Sequence, residues 1–476
     1  MMLGCDALGC YIASHNMGSI HDLHIAVIGS GMGGLASALA LGKRGFKNVH
    51  VYEIAPDLGF VGAGIQLATN LARVLDNLGV WKEIEAESVD LKGTSIRQGS
   101  TDDELAYVDL NYVREQYDFP HMVGHRASLA GGLYNGAKAQ PGVHFHLGSI
   151  VQEVKSFGPK AKFVVQPTAG GDSYEVETDM LLACDGVKSN VRAQMLKELD
   201  ITASVVDTGQ AAYRILLTRD EMKNDSDLLK LIDSECVTRW IGEKRHIIAY
   251  PISNKTIYNI STIQPDTNFA EAPSITYTTK GSKTEMLKVF GDFCPMIHRM
   301  LDLVPEGEVV EWKLRVHSPL PTWVHGTTAL VGDACHPTLP HLAQGAAQAI
   351  EDAAVLGVVL SKMPDASPET VNKTLRVYEQ LRRERTETLV ELAAASGRAL
   401  HLGEGKAKEE RDKAFAALNN GTKTGGKVPD KWADADVQKM IYGHDCMKVA
   451  DEEYDRLFKE IDAPKVNGSN GHSASL

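Results

Sequence analysis

The sequence predicts an α/β protein in three parts: a parallel βαβ unit that opens the ordered chain, a second β-sheet in the middle, and helices towards the C-terminus. Three observations carry this reading. The apolar run LHIAVI (23–28) passes at once into the glycine-rich GSGMGG and then into LASALALGKRG, whose apolar spacing is helical. From about 200 to 320, turn-punctuated β-rich stretches such as RHIIAYPIS and KTIYNISTI take over. Helical patterning returns at 343–362 and 366–400, where TLRVYEQLRRERTETLVELAAASGRAL is strongly amphipathic.

Residues 1–22 read as an extension before the first strand. They lack the basic stretch and long apolar core of a signal peptide, and Met17 offers a second start. The run at 23–28 has the unbroken apolar character of a strand buried in a parallel sheet. The helix after it should end on Gly45, and NVHVYE supplies a second strand ending on Glu53. The turn between them is Gly29-x-Gly31-x-x-Gly34. Gly29 permits a tight strand-to-helix turn, Gly31 lets the backbone approach a pyrophosphate, and Gly34 lets the helix pack close to the strand. The helix N-terminus offers free N–H groups and a positive dipole end to phosphates. Glu53, nineteen residues beyond Gly34, can accept both hydroxyl hydrogens of a ribose. This Rossmann-type fingerprint fits NAD and FAD alike.

A second stretch, LLACDGVKSNVR (181–192), is an apolar strand ending on Asp185-Gly186, with Arg192 on a short helix after it. Taken alone it is an ordinary Asp-Gly turn. The third is TALVGDACHPTLPHLAQGAAQAIEDA (328–353), where a strand stops on Gly332-Asp333, two prolines stiffen a loop, and a helix begins near Gly345. An aspartate at a strand's C-terminal end is placed to bind a ligand hydroxyl, because ligands sit outside those ends in α/β sheets. The helix from Gly345 aims its positive end into the same crevice. His336 and His341 invite a metal reading, but histidines beside prolines more often pack or hydrogen-bond, and no third ligand is evident. No metal is expected.

Bulk properties narrow the class. A chain of 476 residues suggests two or three packed domains. The net charge of −13 argues against a nucleic-acid-binding face. No run of about 18 uncharged apolar residues marks a transmembrane helix. The seven cysteines are scattered and form no CxxC pair, which favours a reducing compartment, and the cytoplasm is the expected location.

Together the glycine fingerprint, DGxxSxVR and GDAxHPxxPxxxQGxxxxxED, in that order, resemble the group A flavoprotein monooxygenases, the FAD-dependent aromatic hydroxylases of the para-hydroxybenzoate and salicylate hydroxylase type. The resemblance runs from about 23 to 450 and includes GAGIQLATNLARVLDNLG (62–79) and YGHDC (442–446), which is like the salicylate hydroxylase branch. It implies a Rossmann-like FAD-binding domain in two pieces, 23–199 and 325–362, around a β-sheet substrate domain at 200–324. A helical region would follow at 363–462; the tail at 463–476 is polar and Gly/Ser-rich, and its composition predicts disorder. Gly29, Gly31, Gly34 and Glu53 would hold the ADP half of FAD, with Gly64 and Arg126 beside the cofactor and Arg126 directed at its linker. Asp333 would bind the ribityl chain, Asp185 would lie near the pyrophosphate and the passing nicotinamide, and Gly345 and Ala346 would face the flavin edge that becomes negative on reduction. Three positions depart from the family's commoner residues: Cys335 stands for alanine, ATN (68–70) for Pro-Asn, and no acid follows Arg126 in RASLAGGL.

The same resemblance implies that NADH or NADPH reduces FAD transiently, that O2 adds at flavin C4a, and that the resulting hydroperoxide hydroxylates a small phenolic substrate. A salicylate- or hydroxybenzoate-like acid, with or without loss of CO2, is the expected substrate. Arg214, Tyr250 and Tyr213 match positions that relatives use to bind or activate a phenolate; Tyr250 also reads as a sheet-core tyrosine and Arg214 as an ion-pair residue. His246 and His317 are weaker candidates. A flavin reductase or dehydrogenase, a tailoring hydroxylase of a larger phenol, and an FAD-holding interaction protein are the competing readings. A monomer or homodimer is expected.

Overall fold

The computed structural model describes residues 18–59, 62–203, 205–267, 278–419 and 428–461. The alternative start at Met17 and the polar tail from 463 lie outside these residues.

Along the chain, β1 (His24–Ile28) leads into α1 (Met32–Lys43) and β2 (Asn48–Glu53). Further on come β3 (Met180–Ala183), β4 (Val205–Thr218), β5 (Arg245–Ile252) and β6 (Ile257–Pro265). Then follow β7 (Val310–His317), β8 (Thr328–Leu330), α2 (Gly345–Ser361) and α3 (Pro368–Leu400). α1 stops two residues short of the expected Gly45, which turns the chain at φ +85°.

One sheet is six-stranded, in the order Val324–His325, β8, β3, β1, β2, Val143–Leu147. From β8 to the strand Val143–Leu147 every pairing is parallel. Its strands β1, β3 and β8 are short, apolar and almost wholly buried, as a sheet covered on both faces requires. The order puts the ends of β8, β3 and β1 side by side. The corners at Asp333, Asp185 and Gly29, distant in sequence, thereby become neighbours.

The second sheet is eight-stranded, in the order Thr278–Lys280, β7, β4, β6, β5, Cys236–Gly242, Gly93–Gln98, Glu104–Asp109. Its last two strands come from the chain segment before residue 199, which the sequence reading grouped with the first sheet. Gly93–Gln98 enters by parallel pairing with Cys236–Gly242. One face packs on an apolar core that includes Tyr213, Leu217, Trp240, Tyr258 and Phe290, and the other turns towards the first sheet.

α2 lies against α1 through small residues. A Cβ on Gly357 would come within 3.0 Å of the Ala40 Cβ, and one on Gly33 within 3.4 Å of the Ala349 Cβ. Beneath α2 sits a buried charge network. Asp352 accepts from the Gly332 N–H at 2.9 Å and from Arg382 Nε at 2.7 Å, and pairs with His336 Nε2 at 2.6 Å. Glu351 holds Arg382 at 2.7 Å, Arg385 at 2.9 Å and the Asn70 amide at 2.6 Å. Burial opposes ionisation of both acids. Arg385 and Arg382 outweigh it at Glu351, and His336 and Arg382 outweigh it at Asp352, so both carboxyls sit below the ordinary range.

Replacing Asp352 with Ala leaves Arg382 Nε, His336 Nε2 and the Gly332 N–H without their carboxylate partner. It should lower stability by about 3–5 kcal/mol, read as a fall in the denaturant midpoint. Because both folded-state pKa values are depressed, the network's contribution is complete above about pH 4–5 and lost as pH falls below that. The wild-type midpoint should therefore drop on acidification more steeply than that of Asp352→Ala.

Candidate active site

A cavity of about 350 Å³ lies between the strand ends of the first sheet and the inner face of the second. Its volume falls within the range of small-molecule sites. α1 and α2 both begin at it, and Gly31, Met32 and Gly33 line it alongside Gly345 and Ala346. Two helix N-termini therefore point their free N–H groups at one space, an arrangement suited to anionic groups.

The three fingerprint glycines have different reasons to be glycine. Gly29 has φ +95°, and a Cβ there would stand 2.7 Å from the Cys184 carbonyl oxygen. A Cβ on Gly34 would stand 1.9 Å from the Gly29 oxygen, so only glycine lets α1 leave the strand this closely. At Gly31 a Cβ would meet nothing within 4 Å. Protein packing does not demand glycine there; the open space in front of the helix N-terminus does. Glu53 lies at the end of β2, where it accepts from the Ser30 N–H and hydroxyl, both at 2.7 Å, and from the Ala55 N–H at 2.9 Å. A ribose would share this carboxylate with Ser30.

Asp333 follows Gly332, whose φ of +63° turns its side chain into the cavity. Its side chain is exposed to the cavity space, and desolvation by the protein around that space pushes its pKa up. No described residue hydrogen-bonds it. Asp185 behaves otherwise. Its neighbours Cys184 and Gly186 line the cavity, while its own Oδ2 accepts from the Val191 N–H at 3.1 Å at the start of the helix Asn190–Glu198. Its Oδ1 is buried without a partner, and burial pushes this carboxyl up as well. The structure thus gives Asp185 a turn-fixing contact and leaves one oxygen free.

The second sheet supplies the opposite wall. Arg214, Tyr250, Asn259, Ser261 and Ile248 line it, and register explains why they face one way. Arg214 is paired with Ser261, Ser261 with Ile248, and Asn259 with Tyr250 across antiparallel neighbours. Tyr213 does not join them. Alternation along β4 turns it to the other face, fully buried in the apolar core, so it is a packing residue and not a cavity residue. Arg126 completes the rim from the N-terminus of the helix Arg126–Lys138.

Among the described residues neither Arg126 nor Arg214 is paired with a carboxylate. Burial, then the charge of Arg126, depress the Arg214 pKa. Burial raises the Tyr250 pKa strongly, and Arg214 only partly offsets it, so its hydroxyl stays protonated. Gly64 is explained by Tyr250: a Cβ there would stand 2.6 Å from the ring, and the Gly64 N–H donates to Asn259 Oδ1 at 2.6 Å.

Sequence reasoning missed Asn259, Ser261, Ile248 and Gln66. The available signal was the alternation in IIAYP and YNIS, which puts Ile248 with Tyr250 and Asn259 with Ser261 once their pairing is known. Gln66 is held by His121 Nε2 at 3.1 Å, whose Nδ1 meets the Tyr442 hydroxyl at 2.8 Å. That gives the YGHDC stretch a role in bracing the cavity floor. His336 is taken by Asp352. His341 packs against the rings of His246 and His401, centroids 5.5 and 5.7 Å away. His317 lies on β7 and pairs with the Ser318 carbonyl at 2.9 Å. Cys335, His336 and Asp352 lie close enough together to ligate an ion. However, Asp352 already accepts from Gly332 and Arg382, and burial keeps the Cys335 thiol protonated.

A family model described as an FAD binding domain matches residues 22–393. The FAD-dependent monooxygenase OpS4 of Beauveria bassiana is 31% identical over 440 residues, covering 91% of this chain and 98% of that protein. The chain belongs to the FAD-dependent monooxygenases. The 3-hydroxybenzoate 6-hydroxylase 1 of Aquipseudomonas alcaligenes is 31% identical over 344 residues, 72% of this chain and 82% of that one. The fold matches a salicylate hydroxylase substrate complex with a TM-score of 0.72 at 23% identity, covering 92% of this chain and 98% of that one. None of the helices in the described residues is long and apolar enough to cross a membrane.

The residues fit FAD on three observations of this fold. Among the described residues a Cβ on Gly31 would meet no atom within 4 Å and the Asp333 carboxylate faces the cavity without a hydrogen-bond partner, and two helix N-termini converge there. Gly31→Val should fold, because φ at this position is −68° and a Cβ there would meet no protein atom within 4 Å, yet the purified protein should lack the flavin absorbance of the wild type. Asp333→Ala should retain flavin more weakly, about tenfold in dissociation constant for one lost charge-assisted hydrogen bond. Equilibrium dialysis would measure it.

Proposed function

We propose that this monooxygenase hydroxylates a phenolic aromatic acid of the salicylate or hydroxybenzoate kind, with NADH or NADPH as transient reductant and O2 as oxygen source. The observation that carries the reading is Arg214: a guanidinium open to the cavity, without a carboxylate partner among the described residues, on the same sheet face as Tyr250 and Asn259. The names of the related hydroxylases support an aromatic acid as substrate.

When bound, FAD supplies the redox chemistry that activates oxygen for transfer to an aromatic ring. The chain's own groups do the rest. Arg214 attracts a carboxylate or phenolate and lowers a phenol's pKa by favouring its anion. Tyr250, held protonated, offers its hydroxyl as a donor, while Ile248 supplies apolar wall that limits water at the ring. Asn259 fixes the Gly64 backbone and so the position of the wall against which the ring packs. The N-terminus of α2 stabilises negative charge that develops beside it.

Salicylate or 4-hydroxybenzoate should stimulate NADH or NADPH oxidation by the FAD-loaded protein, and the product should carry one oxygen atom from 18O2. Stimulated oxidation yielding only peroxide would mean that the ligand resembles the substrate but sits wrongly, whereas a product without the label would overturn hydroxylation in favour of a reductase or dehydrogenase. Arg214→Ala should raise KM for the acid about 10- to 100-fold, as expected for losing a hydrogen bond to a charged group.

A further inference from the structure

Beyond the cavity, the same face of the eight-stranded sheet carries apolar side chains that the described fold leaves open. Leu216, Val310 and Trp312 are 38%, 38% and 39% exposed. Trp312 lies opposite Ala212, two residues from Arg214 on β4, and Leu216 lies opposite Asn259, which lies opposite Tyr250. Directly opposed residues of antiparallel strands share a face, so these side chains continue the cavity wall towards the sheet's edge. Arg214 joins the two regions: its guanidinium lies 5.1 Å from the centre of the Trp312 ring. From the strand of Tyr250 to that of Trp312 there are three strand spacings, about 14 Å, longer than a single benzoate ring.

We propose that the substrate carries an apolar arm beyond its hydroxylated ring, and that Leu216, Val310 and Trp312 form the shelf that receives it. The proposal rests on the hydroxylase reading and narrows its substrate class to aromatic acids with an alkyl or aryl extension. Arg214 stands at the junction, where it anchors the acid group while the arm runs over Trp312. An exposed apolar strip continuous with a binding cavity is the feature expected of a ligand groove.

The test uses FAD-loaded protein and 2-hydroxybenzoates whose 6-position carries no chain, ethyl, butyl or hexyl. Binding is read from the flavin absorbance change and turnover from NAD(P)H oxidation. Affinity and kcat/KM should rise about fourfold per added methylene, the fold-change that corresponds to about 0.8 kcal/mol per buried CH2. Leu216→Ser and Trp312→Ala should each flatten that rise, and Trp312→Phe should restore most of it. A rise absent from the wild type, or unchanged in both variants, overturns the shelf. Hydroxylation of the unextended ring without chain dependence overturns the shelf alone. Chain-dependent binding without any oxidation supports the shelf and overturns the hydroxylase reading instead. A dimer in sedimentation that Trp312→Ala dissociates would give this face to a second copy and overturn the proposal.

Discussion

Asp352 is the residue on which the site's geometry depends. A single buried carboxylate accepts from the Gly332 N–H, meets His336 and holds Arg382 of α3. It thereby ties the Gly332–Asp333 corner, the loop after it, α2 and the long helix α3 into one unit. Glu351 beside it adds Arg385 and Asn70, reaching the helix Thr69–Asn77 that follows the Gly64 strand. Buried charges of this kind are costly unless fully partnered, and here the partners come from segments far apart in the chain. The positions of Asp333 and of the α2 N-terminus follow from that closure.

The cavity is two-sided, and its sides divide the chemistry. The first sheet presents loops and helix starts, which suit phosphates, ribose hydroxyls and a flavin's developing charge. The second presents a flat sheet face with one cation, one protonated tyrosine and apolar surface, which suits an aromatic acid. Neither side is complete alone. Arg126 and Gly64 stand where they meet, and Tyr250 packs on Gly64 closely enough to exclude any side chain there.

What the sequence disclosed and what it hid follow from the range of the physics involved. Gly29, Gly34 and Glu53 were legible because their requirements are local: a turn, a close crossing and a strand end. Asp333 was legible because a strand that halts on Gly-Asp before a glycine-led helix has few structural reasons to do so. Tyr213 was misplaced because facing depends on strand register, and one residue's shift along β4 moves a side chain from cavity to core. Asn259 and Ser261 escaped for the same reason, since only pairing with β4 and β5 shows which face they share. The strands Gly93–Gln98 and Glu104–Asp109 were hidden because they join the second sheet through a partner about 140 residues away in the chain. Likewise Glu351-Asp352 was visible as a motif, while its arginines on α3 were not.

The most direct test of the account is the structure of the FAD-loaded protein with a bound hydroxybenzoate. The account predicts the flavin between Asp333 and the N-termini of α1 and α2, with the substrate's acid or phenolate oxygen within hydrogen-bond distance of Arg214 and its ring beside Tyr250. A ring bound away from Arg214, or a flavin that leaves the Asp333 carboxylate unpaired, would contradict it.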